Sequence, residues 1–225
     1  LIEKKKIAFL HKPITSFGYN YYGNVNTIFN IIILYLVLLM IVKKYFCNNL
    51  TLMNGILIRQ ATVQDATMIS ELSIATFRET YAEFNTASNM DAYILKHFKV
   101  AQLEEEIRDE DQNIFFITFV DEVPAAYVKL SVANSPAALQ GTRPIEIERF
   151  YVLKPYQEQK LGSTLMSYCL SNAIRKGYET LWLGVWQQND KAIAFYERWG
   201  FEKFGAHIFQ LGNDEQSDWL MKRRC

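Results

Sequence analysis

Cysteine is scarce in this chain of 225 residues: Cys47, Cys169 and Cys225 stand far apart, with no CxxC pair. That spacing excludes a disulfide framework and a thiolate zinc site, and it fits a reduced, cytoplasmic setting. The three histidines are too dispersed to suggest a metal site. Net charge is absent, with 24 basic and 24 acidic residues. The longest apolar run, IFNIIILYLVLLMIV from Ile28 to Val42, is broken by Asn30 and closed by Lys43 and Lys44. It falls short of the roughly 20 residues that span a hydrocarbon core. Repeats and low-complexity tracts are missing as well.

Apolar and aromatic residues are abundant: half the chain is hydrophobic and 14% is aromatic. A packed core follows, in a length that suits one well-buried domain. The charge balance hides an asymmetry. Residues 1–52 set Lys4, Lys5, Lys6, Lys12, Lys43 and Lys44 against Glu3 alone, leaving 18 basic and 23 acidic residues beyond. A mildly acidic body argues against a nucleic-acid surface and permits a cationic substrate.

Residues 1–52 read as an N-terminal extension and 53–225 as the functional domain. Three origins are open for the extension: translation upstream of the natural start, a membrane anchor in which lysines stretch the 28–42 span, or a peripheral segment. Leu1 in place of Met, and a clean domain opening at Met53 (MNGILIRQATVQDA), favour the first. A membrane is a partner only if residues 28–42 are genuine.

Periodicity then gives an ordered set of elements. A strand is expected at 56–59, helices at 66–77, 88–98 (capped by Ser88) and 100–109, strands at 114–120 and 125–132, and a loop at 134–144. Glu104, Glu105 and Glu106 read as a solvated helix face. A β-rich run, IEIERFYV (145–152), passes through a polar turn at 157–162 into a helix ending at Lys176-Gly177. A strand (180–185), a helix (191–199) and a closing hairpin turning at 212–214 complete an α/β (α+β) pattern: a mixed sheet flanked by helices.

Two motifs carry chemistry. The turn Gln157-Glu158-Gln159-Lys160-Leu161-Gly162, followed by Ser163, joins a strand to a helix, where unpaired backbone N–H groups would hold a phosphate. Downstream, QNDKAIAFYERWGF fits N-x-x-A-x-x-x-Y-x-x-x-G-F through Asn189, Ala192, Tyr196, Gly200 and Phe201. Ala192 and Tyr196, four apart, share a helix face.

Together these motifs resemble the GCN5-related N-acetyltransferase (GNAT) superfamily over residues 53–225. The runs ATFRETYAEFNTASNMDAYI (75–94), IEIERFYV, LWLGVWQQNDKAIAFYERWGF (181–201) and GAHIFQLGNDEQSDWLM (205–221) look like its PaiA-type spermidine/spermine acetyltransferases. The resemblance implies the GNAT fold, a central mixed, largely antiparallel sheet of six to seven strands. It also implies acetyl-CoA as co-substrate without a metal, and direct attack by an amine in a ternary complex. Phe150, Tyr151 and Val152 would bind the acetyl and pantetheine arm. Gln157, Glu158, Gln159, Lys160, Leu161, Gly162 and Ser163 would seat the pyrophosphate.

Tyr196 is the candidate acid for the departing thiolate and Glu148 the candidate base, with Glu146 its rival, since strict alternation places Glu146, Glu148 and Phe150 on one face. Asn189 either caps its helix or binds pantetheine. Lys160 departs from the family pattern, which has glycine there for close backbone approach or for positive φ. The lysine either weakens the cradle or adds a cation to it. Phe77 to Phe84, with Asp91 and Tyr93, would suit an extended polyamine. The alternatives are acetylation of a protein N-terminus or lysine, and a non-catalytic acetyl-CoA-binding regulatory module. A homodimer is compatible with all of these.

Overall fold

A computed structural model describes Asn30, residues 32–35, 50–53 and 55–225. The chain divides into two units, residues 1–48 and 49–225. In the first, Asn30 and residues 32–35 are helical and exposed; the rest of the 28–42 run lies outside the described residues. No helix among the described residues is long and apolar enough to cross a membrane.

The second unit is built on one sheet of eight strands. β1 (Leu50–Met53) and β2 (Ile56–Gln60) precede helices α1 (Ala66–Tyr81), α2 (Ala87–His97) and α3 (Val100–Arg108). Then come β3 (Asn113–Val120), β4 (Val123–Ser131), β5 (Pro144–Val152), α4 (Leu161–Arg175), β6 (Thr180–Trp186), α5 (Asp190–Arg198), β7 (Glu202–Leu211) and β8 (Asp214–Arg224). The sheet order is β1-β2-β3-β4-β5-β6-β8-β7, antiparallel except where β5 meets β6. The mixed sheet flanked by helices is as expected, with one strand more. β1 begins at Leu50 and straddles the boundary drawn at Met53.

The sheet is covered on both faces, which explains the unbroken burial of β3 from Ile114 to Phe119. One face packs Ile145, Ile147, Leu181 and Leu183 against Leu161, Leu165 and Cys169 of α4 and Ile193 and Tyr196 of α5. The other sets Phe115, Ile117 and Tyr127 against Ile69 and Leu72 of α1 and Leu103 and Ile107 of α3. At two points the sequence reading shifts. Thr86, not Ser88, caps α2, accepting from the Asn89 N–H. Glu106 is not on a solvated face, since it pairs with Lys129 and Arg149; a lysine and an arginine buried on the sheet require such an anion.

Candidate active site

Strand β5 carries the site because its regularity breaks halfway along. Against β4 it pairs Val152 to Arg149 with Ala126 to Lys129, then resumes at Ile147 opposite Leu130. Glu148 is therefore the extra residue of a β-bulge, and a bulge reverses the alternation beyond it. Phe150 and Val152 join Ile145 and Ile147 on the α4/α5 face. Glu146 and Glu148 lie on the other face. The expectation that Phe150 shares a face with the glutamates is thus corrected: its ring lies 5.9 Å from Phe195 and 6.4 Å from Tyr196.

On its other edge β5 pairs with β6 only from Pro144 to Glu146, opposite Thr180 to Trp182. β6 then continues beside β8 and β5 beside β4, so the two central strands part and leave a wedge. The Leu153 N–H donates to the Ala125 carbonyl at 3.0 Å. Antiparallel alternation from that bond turns the Tyr151 backbone toward β4, and that of Phe150 and Val152 into the wedge. The Gln157 side-chain amide takes the Val152 carbonyl at 2.9 Å. What is left is a strand edge that an extended, amide-bearing arm can pair with.

The turn after β5 holds two non-glycine residues in the left-handed region, Glu158 at φ +70° and Lys160 at +61°. Positive φ is therefore a requirement at the position where the motif has glycine, and Lys160 meets it at a cost of about 1 kcal/mol. No side chain of Lys160 caps α4; the first helical bond runs from the Thr164 N–H to the Lys160 carbonyl at 3.0 Å. The N–H groups of Leu161, Gly162 and Ser163 precede that bond and make the donor set of an anion site. Lys191 lies 3.4 Å from both Gln157 Oε1 and Glu158 Oε1 and adds a cation nearby. Gly162 sits against Phe195 and Phe150, where an added Cβ would stand 3.7 Å from the Phe195 ring, an ordinary contact. These donors, cations and the open strand edge fit the diphosphate and pantetheine arm of coenzyme A.

Asn189 caps α5, its side chain accepting from the Ala192 N–H at 3.1 Å. On the inner face of that helix Tyr196 is 8% exposed and packs against Phe150, Phe195 and Phe201. Burial first, then Tyr81 and Cys169, raise its proton affinity above that of an ordinary phenol, so it stays protonated at neutral pH.

Opposite Tyr196, on the α1/α3 side, a trough of about 830 Å³ is lined by Lys129, Glu146, Glu148, Trp182 and His207 among others. Lys129 Nζ lies 2.8 Å from Glu148 and 3.0 Å from Glu106, and Arg149 lies 3.3 Å and 3.1 Å from the same two carboxylates. This four-membered network fixes the bulge residue between two cations. Glu146 stands apart from it. Burial, and then the Glu148 charge, push its carboxyl up to about 8, with Lys129 offsetting part of the rise. Beside the wedge, Tyr81 packs 6.0 Å from Trp186, with Phe84 5.1 Å from the same indole.

The sequence of these elements and their geometry match known proteins. A family profile described as "Acetyltransferase (GNAT) family" covers residues 74–201. The chain belongs to the GNAT family of acetyltransferases. An uncharacterized N-acetyltransferase in the pepI 3′ region of Lactobacillus delbrueckii subsp. lactis is 32% identical over 171 residues, 76% of this chain and 98% of that protein. Among solved structures, the PaiA N-acetyltransferase of Thermoplasma acidophilum, crystallised with coenzyme A, superposes with a TM-score of 0.63 at 21% identity, covering 76% of this chain and 99% of that one. A ribosomal-protein-alanine N-acetyltransferase of Brucella melitensis gives 0.56 at 19% identity, covering 75% and 99%.

In this GNAT acetyltransferase the residues expected from sequence cluster around the wedge, whereas part of the expected amine-binding stretch does not. Phe77 is buried in the core and Asp91 pairs with Arg78 at the surface; Tyr81 and Phe84 reach Trp186. Sequence reasoning passed over Lys129, His207 and Asp218, and read Glu106 as solvated. Lys129 carried a signal, being a cation within the apolar run AAYVKLSV, which demands a buried partner. Asp218 and His207 carried none, because their meeting depends on hairpin register.

Proposed function

We propose that this acetyltransferase moves the acetyl group of acetyl-CoA to a primary amine of a small polycation such as spermidine or spermine. The observation that carries this reading is one face beside the wedge on which Glu146, Glu148 and Asp218 stand among Tyr81, Trp182 and Trp186. Carboxylates suit ammonium groups, and aromatic walls suit both methylenes and cations.

Acetyl-CoA, when bound, supplies the thioester carbonyl that the amine attacks. The N–H groups of Leu161, Gly162 and Ser163 hold its pyrophosphate, with Lys160 and Lys191 nearby. The Phe150 and Val152 backbone orients its arm in the wedge. An ammonium cannot attack, so a base must first remove a proton. Glu148, ion-paired to two cations, is a poor match for that task. Glu146, raised to about 8, is the better one, acting through water because it lies before the strands part. Tyr196 holds the proton that the leaving thiolate needs.

A second reading, acetylation of a protein N-terminus, is favoured by one group. The Trp182 indole N–H is buried without an acceptor on the trough lining, and a peptide carbonyl would supply one. Thiol release from acetyl-CoA, measured with spermidine, spermine, lysine-containing and free-N-terminus peptides and an aminoglycoside, tests both. Saturable release with the polyamines supports the first reading; release with peptides alone replaces it by the second. Coenzyme binding without release for any acceptor would leave a regulatory binding module.

A further inference from the structure

Asp218 is a carboxylate whose hydrogen bonds are incomplete. It lies on β8 opposite Trp186 of β6 and His207 of β7. Its Oδ1 is buried with no hydrogen-bond partner, and its Oδ2 is 3.6 Å from His207 Nε2, too far for a good hydrogen bond. An unsatisfied buried carboxylate is costly, so a donor arriving with a ligand would be strongly favoured.

The place where it stands says what that ligand is. A Cβ on Gly184 would lie 3.5 Å from both Asp218 Oδ2 and His207 Nε2, so the carboxylate leans over the bare backbone of β6. Gly184 is two residues past Trp182, the partner of Glu146; Glu148 is two residues past Glu146. Glu148 and Gly184 therefore flank the mouth of the wedge, on strands that start about 5 Å apart and diverge. Burial raises the Asp218 carboxyl above the usual carboxylate range, with His207 offsetting part of the rise, and Tyr81 packs on Trp186, the residue opposite Asp218. Glu148 is already matched by Lys129 and Arg149, whereas Asp218 has His207 at longer range.

We propose that Asp218 anchors a second ammonium of the acceptor across the wedge from the β5 carboxylates, so that the site selects amines carrying another cationic nitrogen. This rests on the small-polycation reading and adds to it the residue that holds the second charge. His207, 3.6 Å from Oδ2, competes with that ammonium for the carboxylate.

The test compares butane-1,4-diamine with butylamine on the full-length protein and on Asp218→Asn, by kcat/KM with acetyl-CoA and by calorimetric diamine binding in the presence of coenzyme A. Thermal melts check that the variant is folded. The diamine should be preferred by the unaltered protein, and Asp218→Asn should cut that preference about tenfold or more and weaken diamine binding alike. His207→Gln, which removes the imidazole beside the carboxylate, should move the preference the other way and serves if Asp218→Asn does not fold. An unchanged preference in Asp218→Asn overturns the proposal. So does a parallel loss with both amines while diamine binding persists, which would make Asp218 a base. Peptide acetylation with neither amine accepted would remove the small-polycation reading itself, and the proposal with it.

Discussion

Lys160 is a residue whose role only the backbone could decide. Its position in the turn motif was legible, but whether the glycine it replaces mattered for space or for φ was not. With φ at +61°, Lys160→Gly should relieve about 1 kcal/mol, raising the melting temperature by about 2–4 °C for a chain of this size. Acetyl-CoA affinity should stay within a few-fold, and a tenfold gain would show that the lysine obstructs the cradle. Tyr196 was singled out by the N…A…Y…GF spacing. Tyr196→Phe should lower kcat at least tenfold while acetyl-CoA binding measured by calorimetry changes little, since in the proposed mechanism the phenol's proton is needed only as the thiolate leaves. The choice between Glu146 and Glu148 was not legible, because it depends on which carboxylate the buried cations reach. As a base Glu146 works only when ionised, so kcat should climb with pH through about 8. Glu146→Gln should lower the rate and erase that limb; a limb that survives the substitution would assign it to another group.

At the scale of elements, helices and strands followed from apolar periodicity, which reports burial and little else. The bulge in β5 and its parting from β6 did not follow, because both are matters of register between strands distant in sequence. Glu106 makes the same point: on α3 Glu105 beside it is exposed, yet Glu106 itself faces Lys129 and Arg149 across the sheet. Burial opposes its ionisation, but the two cations together outweigh this and lower its pKa. Its contribution to stability is therefore complete above the ordinary glutamate range and fades as pH falls through the lowered value. Glu106→Gln should cost about 2 kcal/mol at neutral pH, below the range for a fully buried pair because Glu148 still balances the cations and solvent reaches the site. Denaturant melts of both proteins check this, and the difference should shrink in acid. A difference independent of pH would mean that packing, not charge, is what Glu106 supplies.

For the whole molecule, the division of labour lies between the two faces of one sheet. The α4/α5 face presents an anion cradle, an open strand edge and a buried phenol. The α1/α3 face presents carboxylates and aromatics. The two meet only where β5 and β6 separate, so a donor from one side and an amine from the other can touch. This arrangement could be read from the sequence as far as the turn and the α5 motif reached, since both are local. The amine side is assembled from β4, β5, β6, β7, β8 and α1, and it needed the fold. The most direct measurement is a competition in which limiting acetyl-CoA is offered equal concentrations of spermidine and a peptide with a free N-terminus and an internal lysine, with products identified by mass spectrometry. Acetylspermidine should account for nearly all of the transferred acetyl groups, and acetyl groups accumulating on the peptide instead would contradict the account.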